Sequence, residues 1–311
     1  MHKVQTTNIT TENISGKSVF TFDSHHEALL PWAQCARDLG VLPRLLTLDY
    51  HCDTRPAFIG HCAVDIAAGL GDEDWETRAA VEVAKIDFRN DDSIREAILK
   101  LRYDEHISAA VQSGIIDIAF AIVGSSIMNE YESNEQRAAE AVWQAQWEDH
   151  PWAPKPKARA PYTYSIPDER IIELPHQKVR AKDQPPSKMY ANMALESSFL
   201  RGRLDFIDII TKSAGVPGLF DAPFILDIDL DYFNTKKAVQ PADHLVFHEL
   251  IRQAKIITIA REPGCVKTCQ RSGEGLTSEW LEAEMKRHIK EALSPPTGHG
   301  DMETTSQTGV S

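Results

Sequence analysis

The stretch PFILDIDLDYFN, residues 223–234, limits the possible folds of this chain more than any other segment. Its apolar run predicts a buried strand, yet Asp227, Asp229 and Asp231 occupy every second position at the end of that run. Burying an ionised carboxylate is costly unless a cation lies beside it. The sequence therefore predicts that the strand ends at a cleft where the carboxylates meet a cation.

Apolar runs of strand length alternate with helical segments along most of the chain. The predicted strands lie in segments 18–22, 42–53, 115–124, 223–229 and 256–264. The predicted helices are 27–40, 74–86, 91–113, 241–255 and 278–293. The last helix is expected to bury Leu281, Met285, His288, Ile289 and Ala292. This alternation indicates an α/β fold with a mainly parallel sheet.

The organisation predicted from the sequence is a single domain over residues 1–293. Residues 1–16 resemble a loose polar arm, and residues around 131–190 form an irregular insertion rich in Pro, Trp and Tyr. Residues 294–311 are polar and rich in Pro and Gly, which predicts a disordered tail.

The composition argues against several classes of partner. A formal net charge of −13 disfavours nucleic acid and favours a cationic substrate or a metal ion. No stretch is long and apolar enough to predict a membrane span or a secretion signal. Five cysteines, an odd number, indicate reduced thiols in a cytoplasmic protein. Cys265 and Cys269 form a C-x3-C pair, but the sequence has no second cysteine pair that would complete a four-cysteine metal site.

Residues of the types that bind metal ions follow three of the predicted strands. The segments are DSHHE (23–27), DYHCD (49–53) and DIDLD (227–231). Residues two apart in an extended chain point the same way, so Asp49, His51 and Asp53 are expected to converge. Oxygen ligands with one or two imidazoles suit Mn²⁺, Mg²⁺ or Fe²⁺ better than structural Zn²⁺. The carboxylates exceed what one ion needs, which favours two ions that share bridging aspartates.

Other interpretations of these segments fit less well. A single D-x-D at a strand end is often only a cap or a turn. A calcium loop starting at Asp227 needs Gly at its sixth position and Glu at its twelfth, where this chain has Tyr232 and Ala238. A serine hydrolase is unsupported because the chain contains no G-x-S-x-G motif.

The order of the motifs resembles the arginase/deacetylase fold, which is a three-layer αβα architecture. Within it the patterns DSHHEALLPW and FILDIDLDYF are similar to an arginase-like family, and the likeness spans roughly residues 18 to 265. Described members of that family include peptide arginases, which convert arginine to ornithine in ribosomally made peptides. The chain has Asp-Ser-His-His at 23–26 where arginases have Gly-Gly-Asp-His, and Tyr-Phe-Asn at 232–234 where they have Gly-x-Asp-Pro. These departures argue against free arginine as the substrate.

The resemblance implies a centre of two Mn²⁺ ions. It implies that Asp49 and Asp229 bridge the ions. His25 or His26, together with Asp53, would complete one ion, and His51 with Asp231 the other. Asp227 is expected to orient its neighbours without touching metal.

Four residues are candidates for catalytic roles beside the ions. Asp53 is expected to orient the attacking hydroxide and accept its proton, and His61 and His106 are candidate proton donors to the leaving amine. An ordinary surface or helix-face histidine is the alternative for His61 and His106. Glu262 is expected to hold the guanidinium, with a salt bridge to Arg261 or a helix cap as its alternative.

The expected function is a Mn²⁺-dependent hydrolase that releases urea from arginine in a precursor peptide during ribosomal peptide maturation. One alternative is an amide hydrolase of the deacetylase type, with a single zinc ion and Tyr232 beside the substrate carbonyl. Another is a non-catalytic module that keeps a metal for structure or for peptide binding.

Overall fold

One mainly parallel sheet organises the protein. A computed structural model describes residues 8–67, 74–125, 163–175 and 188–295. Over these ranges seven strands lie in the order β1-β2-β7-β6-β3-β4-β5. They are β1 (Thr10–Ile14), β2 (Lys17–Phe22), β3 (Arg44–Asp49), β4 (Ala119–Val123), β5 (Ile171–Pro175), β6 (Phe224–Asp229) and β7 (Ile256–Ala260). Only β1 is antiparallel to its neighbour, and every other pair is parallel.

Helices connect the strands. They are α1 (Leu29–Leu39), α2 (Ile59–Ala67), α3 (Trp75–Ala84), α4 (Asp91–Lys100), α5 (His106–Gln112), α6 (Lys188–Asn192), α7 (Ser197–Ser213), α8 (Leu245–Gln253), α9 (Pro263–Cys269) and α10 (Ser278–Leu293). Four short 3-10 helices cover His25–Ala28, Leu219–Asp221, Leu230–Tyr232 and Lys236–Val239. Within the described ranges no helix has the length and apolarity needed to cross a membrane.

The two faces of the sheet carry separate apolar clusters, because successive side chains of a strand point to opposite faces. On β3, Leu46 and Leu48 belong to the cluster that includes residues of α7, α8 and α10. Leu45, whose side chain points to the opposite face, belongs to the cluster that includes residues of α1, α3, α4 and α5. We call the second the α1 face; Asp49 lies on it because it shares the parity of Leu45.

The sheet order brings the candidate metal-binding segments to one edge. Strands β2, β7, β6 and β3 are consecutive neighbours and run parallel. Their carboxyl ends therefore meet at the same edge, which is where ligands gather in open α/β sheets. His25 follows β2, Asp49 ends β3, Asp229 ends β6 and Glu262 follows β7.

Much of the predicted organisation is confirmed. The fold is α/β with a mainly parallel sheet, and α10 buries all five residues predicted for its apolar face. The specific likeness to the arginase fold stays a prediction. Most of the predicted insertion at 131–190 lies outside the described residues, as does nearly all of the predicted tail beyond 293.

Three details of the prediction were wrong. The polar arm contains strand β1, whose backbone pairs with β2 despite its polar side chains. The insertion contains strand β5, which extends the sheet beside β4. The single helix predicted at 91–113 is two helices, α4 and α5. Between them the buried Glu105 carboxylate accepts hydrogen bonds from the Gly60 and Arg102 amides, which ties the break to the segment that follows Asp53.

Candidate metal centre

His25 lies at the middle of a buried group of carboxylates. It begins the 3-10 helix that follows β2, and its side chain is fully buried. Its Nδ1 lies 3.2 Å from Asp53 Oδ2, 3.2 Å from Asp229 Oδ2 and 3.6 Å from Asp49 Oδ2. We call this group of His25, Asp49, Asp53 and Asp229 the inner position. Two donors bound to one ion at 2.0–2.2 Å lie about 3.0–3.5 Å apart, so these spacings are close to those around a shared ion.

Asp227 fixes the orientation of the His25 ring from the opposite side. The Nε2 of His25 donates to Asp227 Oδ2 at 2.8 Å, since a carboxylate only accepts. Asp227 pairs in register with Thr47 on β3 and with Thr258 on β7, and both hydroxyls donate to its carboxylate. Thr258 in turn accepts a hydrogen bond from the indole N–H of Trp32. With Nε2 bonded to Asp227 in this way, Nδ1 is the ring nitrogen that faces the other carboxylates.

A second group lies beside the first. His51 Nδ1 is 2.9 Å from Asp231 Oδ2, and Cys269 Sγ at the end of α9 is 3.9 Å from both Asp231 Oδ2 and His51 Nε2. We call His51, Asp231 and Cys269 the outer position. Asp231 is buried, whereas the His51 side chain is 47% exposed.

Asp49 and Asp229 connect the two positions. Each directs its Oδ2 toward His25. The Oδ1 of Asp49 accepts the His51 backbone N–H, and the Oδ1 of Asp229 accepts the Asp231 backbone N–H. These bonds tie each carboxylate to the backbone of an outer-position residue, and the bridging role of Asp49 and Asp229 stays a prediction.

The electrostatics show that the cluster lacks positive charge. Burial, then the neighbouring aspartates, raises the pKa of Asp49 well above its usual value. Burial also raises the pKa of Asp53, and burial followed by Asp231 raises that of Asp229. Burial alone would lower the pKa of His25, but the carboxylates, Asp227 first, raise it well above its usual value. Hydrogen bonding to Asp231 raises the pKa of His51 to about 12.

The donor set fits a divalent cation. The Oδ2 of Asp49 is buried and has no hydrogen-bond partner among the described residues, and burying such an atom is unfavourable unless something else binds it. The inner position offers three carboxylates and one imidazole, which suits hard or borderline divalent ions. These buried His and Asp side chains could therefore hold metal ions.

Asp53 and Glu262 both have strained backbones. Their φ angles of 45° and 32° lie in the left-handed region, which is unfavourable for residues other than glycine. Such strain concentrates at functional sites, where the surrounding structure enforces it. Glu262 precedes α9, and its Oε1 accepts the His25 backbone N–H at 3.0 Å. It also lies close to Asp231 and Cys265, so its carboxylate is beside the outer position.

The structure distinguishes between the candidate histidines. His25 enters the cluster, whereas no candidate metal group among the described residues contains His26. Burial and then the neighbouring His25 lower the pKa of His26 to about 4. His61 lies on α2, and among the described residues it belongs to no group of side chains that could hold a metal ion. The structure therefore gives no support to the prediction of His26 as a ligand or of His61 as a proton donor.

His106 lies against the inner position. Its ring centroid is 4.3 Å from that of His25, and it forms a candidate group with His25 and Asp53. Its Nδ1 is 2.9 Å from the Tyr103 carbonyl oxygen and therefore donates its proton there, while its buried Nε2 meets no partner in the part of the chain that the structure describes. Burial, followed by His25, lowers the pKa of His106 well below its usual value. A neutral ring whose Nδ1–H is already bonded can accept a proton at Nε2, and the role of His106 as donor to the leaving amine stays a prediction.

Three contributors to the site were missed from the sequence. Thr47 and Thr258 become visible only when the strand register places them on either side of Asp227. Cys269 belongs to the C-x3-C pair, whose spacing is visible in the sequence. Nothing in the sequence indicates that this cysteine lies beside His51 and Asp231.

Comparison of the chain with models of known protein families found no match, and comparison with curated protein sequences found none either. The side chains of the cluster are therefore the basis for assigning a function.

Proposed function

We propose that this cluster binds two divalent metal ions, Mn²⁺ in the simplest case, and that the protein hydrolyses the guanidinium of arginine residues in a peptide. One observation carries the proposal. The Nε2 of His25 is fixed by Asp227, and its Nδ1 faces three buried carboxylates. Only a proton or a metal ion between these atoms offsets their repulsion.

The ligands divide between the two positions. His25 and Asp53 would serve the inner ion and His51 and Asp231 the outer one, while Asp49 and Asp229 would be shared. A pair of divalent ions lowers the pKa of a water molecule and so supplies hydroxide near neutral pH. That nucleophile is what a resonance-stabilised guanidinium requires.

The remaining residues supply proton transfer and charge. Asp53, at the inner position, is placed to orient the attacking oxygen. His106 is placed to accept a proton through its unpartnered Nε2 and to return it to the departing amine. Hydrolysis adds one water across the C–Nε bond, so the products are ornithine and urea. Both protons of the attacking water end on Nε, which becomes the ornithine ammonium, so the positive charge of the guanidinium is conserved.

The substrate would approach from the outer side. His51 is the most exposed histidine of the cluster, and the Glu262 carboxylate lies beside Asp231. An anionic group next to an open ion position suits a cationic guanidinium, and the net charge of −13 would attract the same group from a distance. The choice of peptide-bound arginine, and of ribosomal peptide maturation in the cytoplasm, depends on the sequence resemblance alone.

The structure disfavours the deacetylase alternative in one respect. Tyr232, the candidate to polarise a substrate carbonyl, is 2% exposed and belongs to the apolar cluster on the face opposite the inner position. Its burial raises the pKa of its hydroxyl well above the usual value. A buried phenol on that face is poorly placed to reach a substrate.

Urea release tests the proposal. The protein is loaded with Mn²⁺ and incubated with an arginine-containing peptide or with free arginine. We expect urea and a loss of CH₂N₂ from the peptide, and little urea from free arginine. Asp229→Ala and His51→Ala should each abolish release, while Asp205→Ala, which removes an exposed carboxylate on α7, should not. Unchanged release in the first two variants would exclude the two-ion mechanism.

Glu262→Gln tests the binding of the guanidinium separately. The amide keeps an oxygen that accepts the His25 N–H but removes the negative charge. We expect KM for the peptide to rise about tenfold or more while bound Mn²⁺ is unchanged, because a charged hydrogen bond of about 1.5–3 kcal/mol is lost. An unchanged KM would exclude Glu262 as the guanidinium partner.

A further inference from the structure

We propose that Cys269 is a ligand of the outer ion, and that its thiolate makes this position prefer Co²⁺ or Zn²⁺ over Mn²⁺. The inference rests on the proposed metal centre and adds to it a residue and an ion preference. Neither follows from the His and Asp motifs.

The geometry of the outer position places the sulfur among the donors. Sγ of Cys269 is 3.9 Å from both His51 Nε2 and Asp231 Oδ2, and the other ring nitrogen of His51, Nδ1, is 2.9 Å from Asp231 Oδ2. A sulfur and an oxygen or nitrogen bound tetrahedrally to one zinc-sized ion, at about 2.3 and 2.1 Å, lie about 3.6 Å apart. One donor atom from each of the three side chains lies within 4.8 Å of the other two, so the three side chains could hold one ion.

A hydrogen bond explains the same contacts less well. A separation of 3.9 Å is at the outer limit even for sulfur, so neither contact is a strong bond. The thiol lies near an imidazole and a carboxylate without a close hydrogen bond to either one.

Comparison with the inner position gives a second reason to assign Cys269 as a ligand of the outer ion. There, four protein side chains converge on one point. Among the described residues, the outer position consists of only His51 and Asp231 when Cys269 is left aside. Cys269 supplies a third, and Cys265 lies one helical turn earlier on α9, close to Asp231 and Glu262. Helix α9 thus presents thiols to the outer position alone.

The chemical consequence is selectivity. Thiolates are soft ligands that favour Zn²⁺ and related borderline ions, whereas Mn²⁺ prefers oxygen. The inner position contains no sulfur, so the two positions are expected to prefer different ions. A mixed-metal centre follows, with the thiophilic ion on the exposed side.

Cobalt absorption tests the inference without any use of activity. Metal-free protein is titrated with Co²⁺, and a sulfur-to-cobalt charge-transfer band is expected in the near ultraviolet. Cys269→Ser should remove this band. Cys265→Ser, one turn earlier on the same helix, should retain it. A band that survives in Cys269→Ser, or disappears only in Cys265→Ser, overturns the assignment.

A further variant separates a lost ligand from a damaged helix. Cys269→Asp restores a hard donor, so it should bind an outer Mn²⁺ without the sulfur band. Zn²⁺ affinity should fall in Cys269→Ser by more than the roughly 10- to 100-fold typical of losing an outer partner of a ligand. An unchanged Zn²⁺ affinity overturns the inference.

The titration also distinguishes this inference from the proposed function. If the wild type binds Co²⁺ without a sulfur band, Cys269 is not a ligand and the metal centre stands. If the wild type binds no more Co²⁺ than Asp229→Ala, the proposed centre fails, and the assignment of Cys269 fails with it.

Discussion

The inner and outer positions use the same kinds of side chain in two different environments. All four residues of the inner position are at most 4% exposed, and they come from the ends of β2, β3 and β6 or the turns just after them. The outer position combines a buried Asp231 with a His51 that is 47% exposed and a cysteine at the end of a short helix. The inner position is thus fixed by the packing of the sheet, while the outer one is open to ligands from solvent.

Burial also makes the two positions differ in what they require. Water does not reach a carboxylate at the inner position. Without a metal ion, its negative charge is therefore either neutralised by a bound proton or balanced by His25. At the outer position, solvent reaches His51 and screens its charge. The sealed position should therefore dominate stability, and the open position should dominate substrate access and ion exchange.

The largest expected effect separates the two histidines in metal-free protein. His25→Ala removes the cation from a buried group of carboxylates and should cost about 3–5 kcal/mol of unfolding free energy. His51→Ala removes a half-exposed partner and should cost about 1 kcal/mol or less. Urea denaturation in the presence of a chelator measures both values. Equal costs would show that the two positions do not differ in the way their burial indicates.

A smaller effect is expected from Asp227→Asn. The amide can still accept the His25 N–H, but it withdraws the negative charge that makes the ring a better ligand. Metal affinity at the inner position should fall roughly 10- to 100-fold. Thr258→Val is the matched control, because it removes one donor and leaves the carboxylate and Thr47 in place. A larger loss from the threonine variant would contradict this account.

The third expected effect is a pH dependence of stabilisation by metal. The raised pKa values of Asp49 and Asp229 mean that metal-free stability falls as pH rises from about 4, the unfolded value, through the folded values. The raised pKa of His25 acts in the same direction above about 6.5. A metal ion replaces these protons, so its apparent affinity should rise about tenfold per pH unit for each proton displaced.

Thermal unfolding with and without Mn²⁺ at pH 6 and pH 8 measures this dependence. Groups distant from the metal cancel in the difference. One such group is His248, whose pKa burial lowers to about 4. A greater gain in Tm from Mn²⁺ at pH 6 than at pH 8 would contradict the expected displacement of protons.

The ends of β3 and β6 were the most predictable parts of the site. Alternation along an extended chain predicts that Asp49, His51 and Asp53 converge, and a parallel sheet brings the ends of β3 and β6 to one edge. In the structure β3 ends at Asp49, so Asp49 and Asp53 meet at the inner position while His51 lies at the outer one. Both rules are local or follow from the fold class, so residue order alone supports them. The choice between His25 and His26 was not predictable, because adjacent residues of a 3-10 turn point in different directions and packing selects one.

The sequence by itself determined the strand ends, the excess of carboxylates there and hence the need for a cation. The tertiary structure alone decided how that need is met. It buries Asp227 inside the sheet between two threonines and gives this residue, which was expected to orient its neighbours, a definite partner in His25. It also brings Cys269 to Asp231, 38 positions earlier in the chain, because β6 and β7 are neighbours and α9 follows β7. Contacts between segments far apart in sequence depend on strand order, register and helix packing, and no local pattern of residues encodes these.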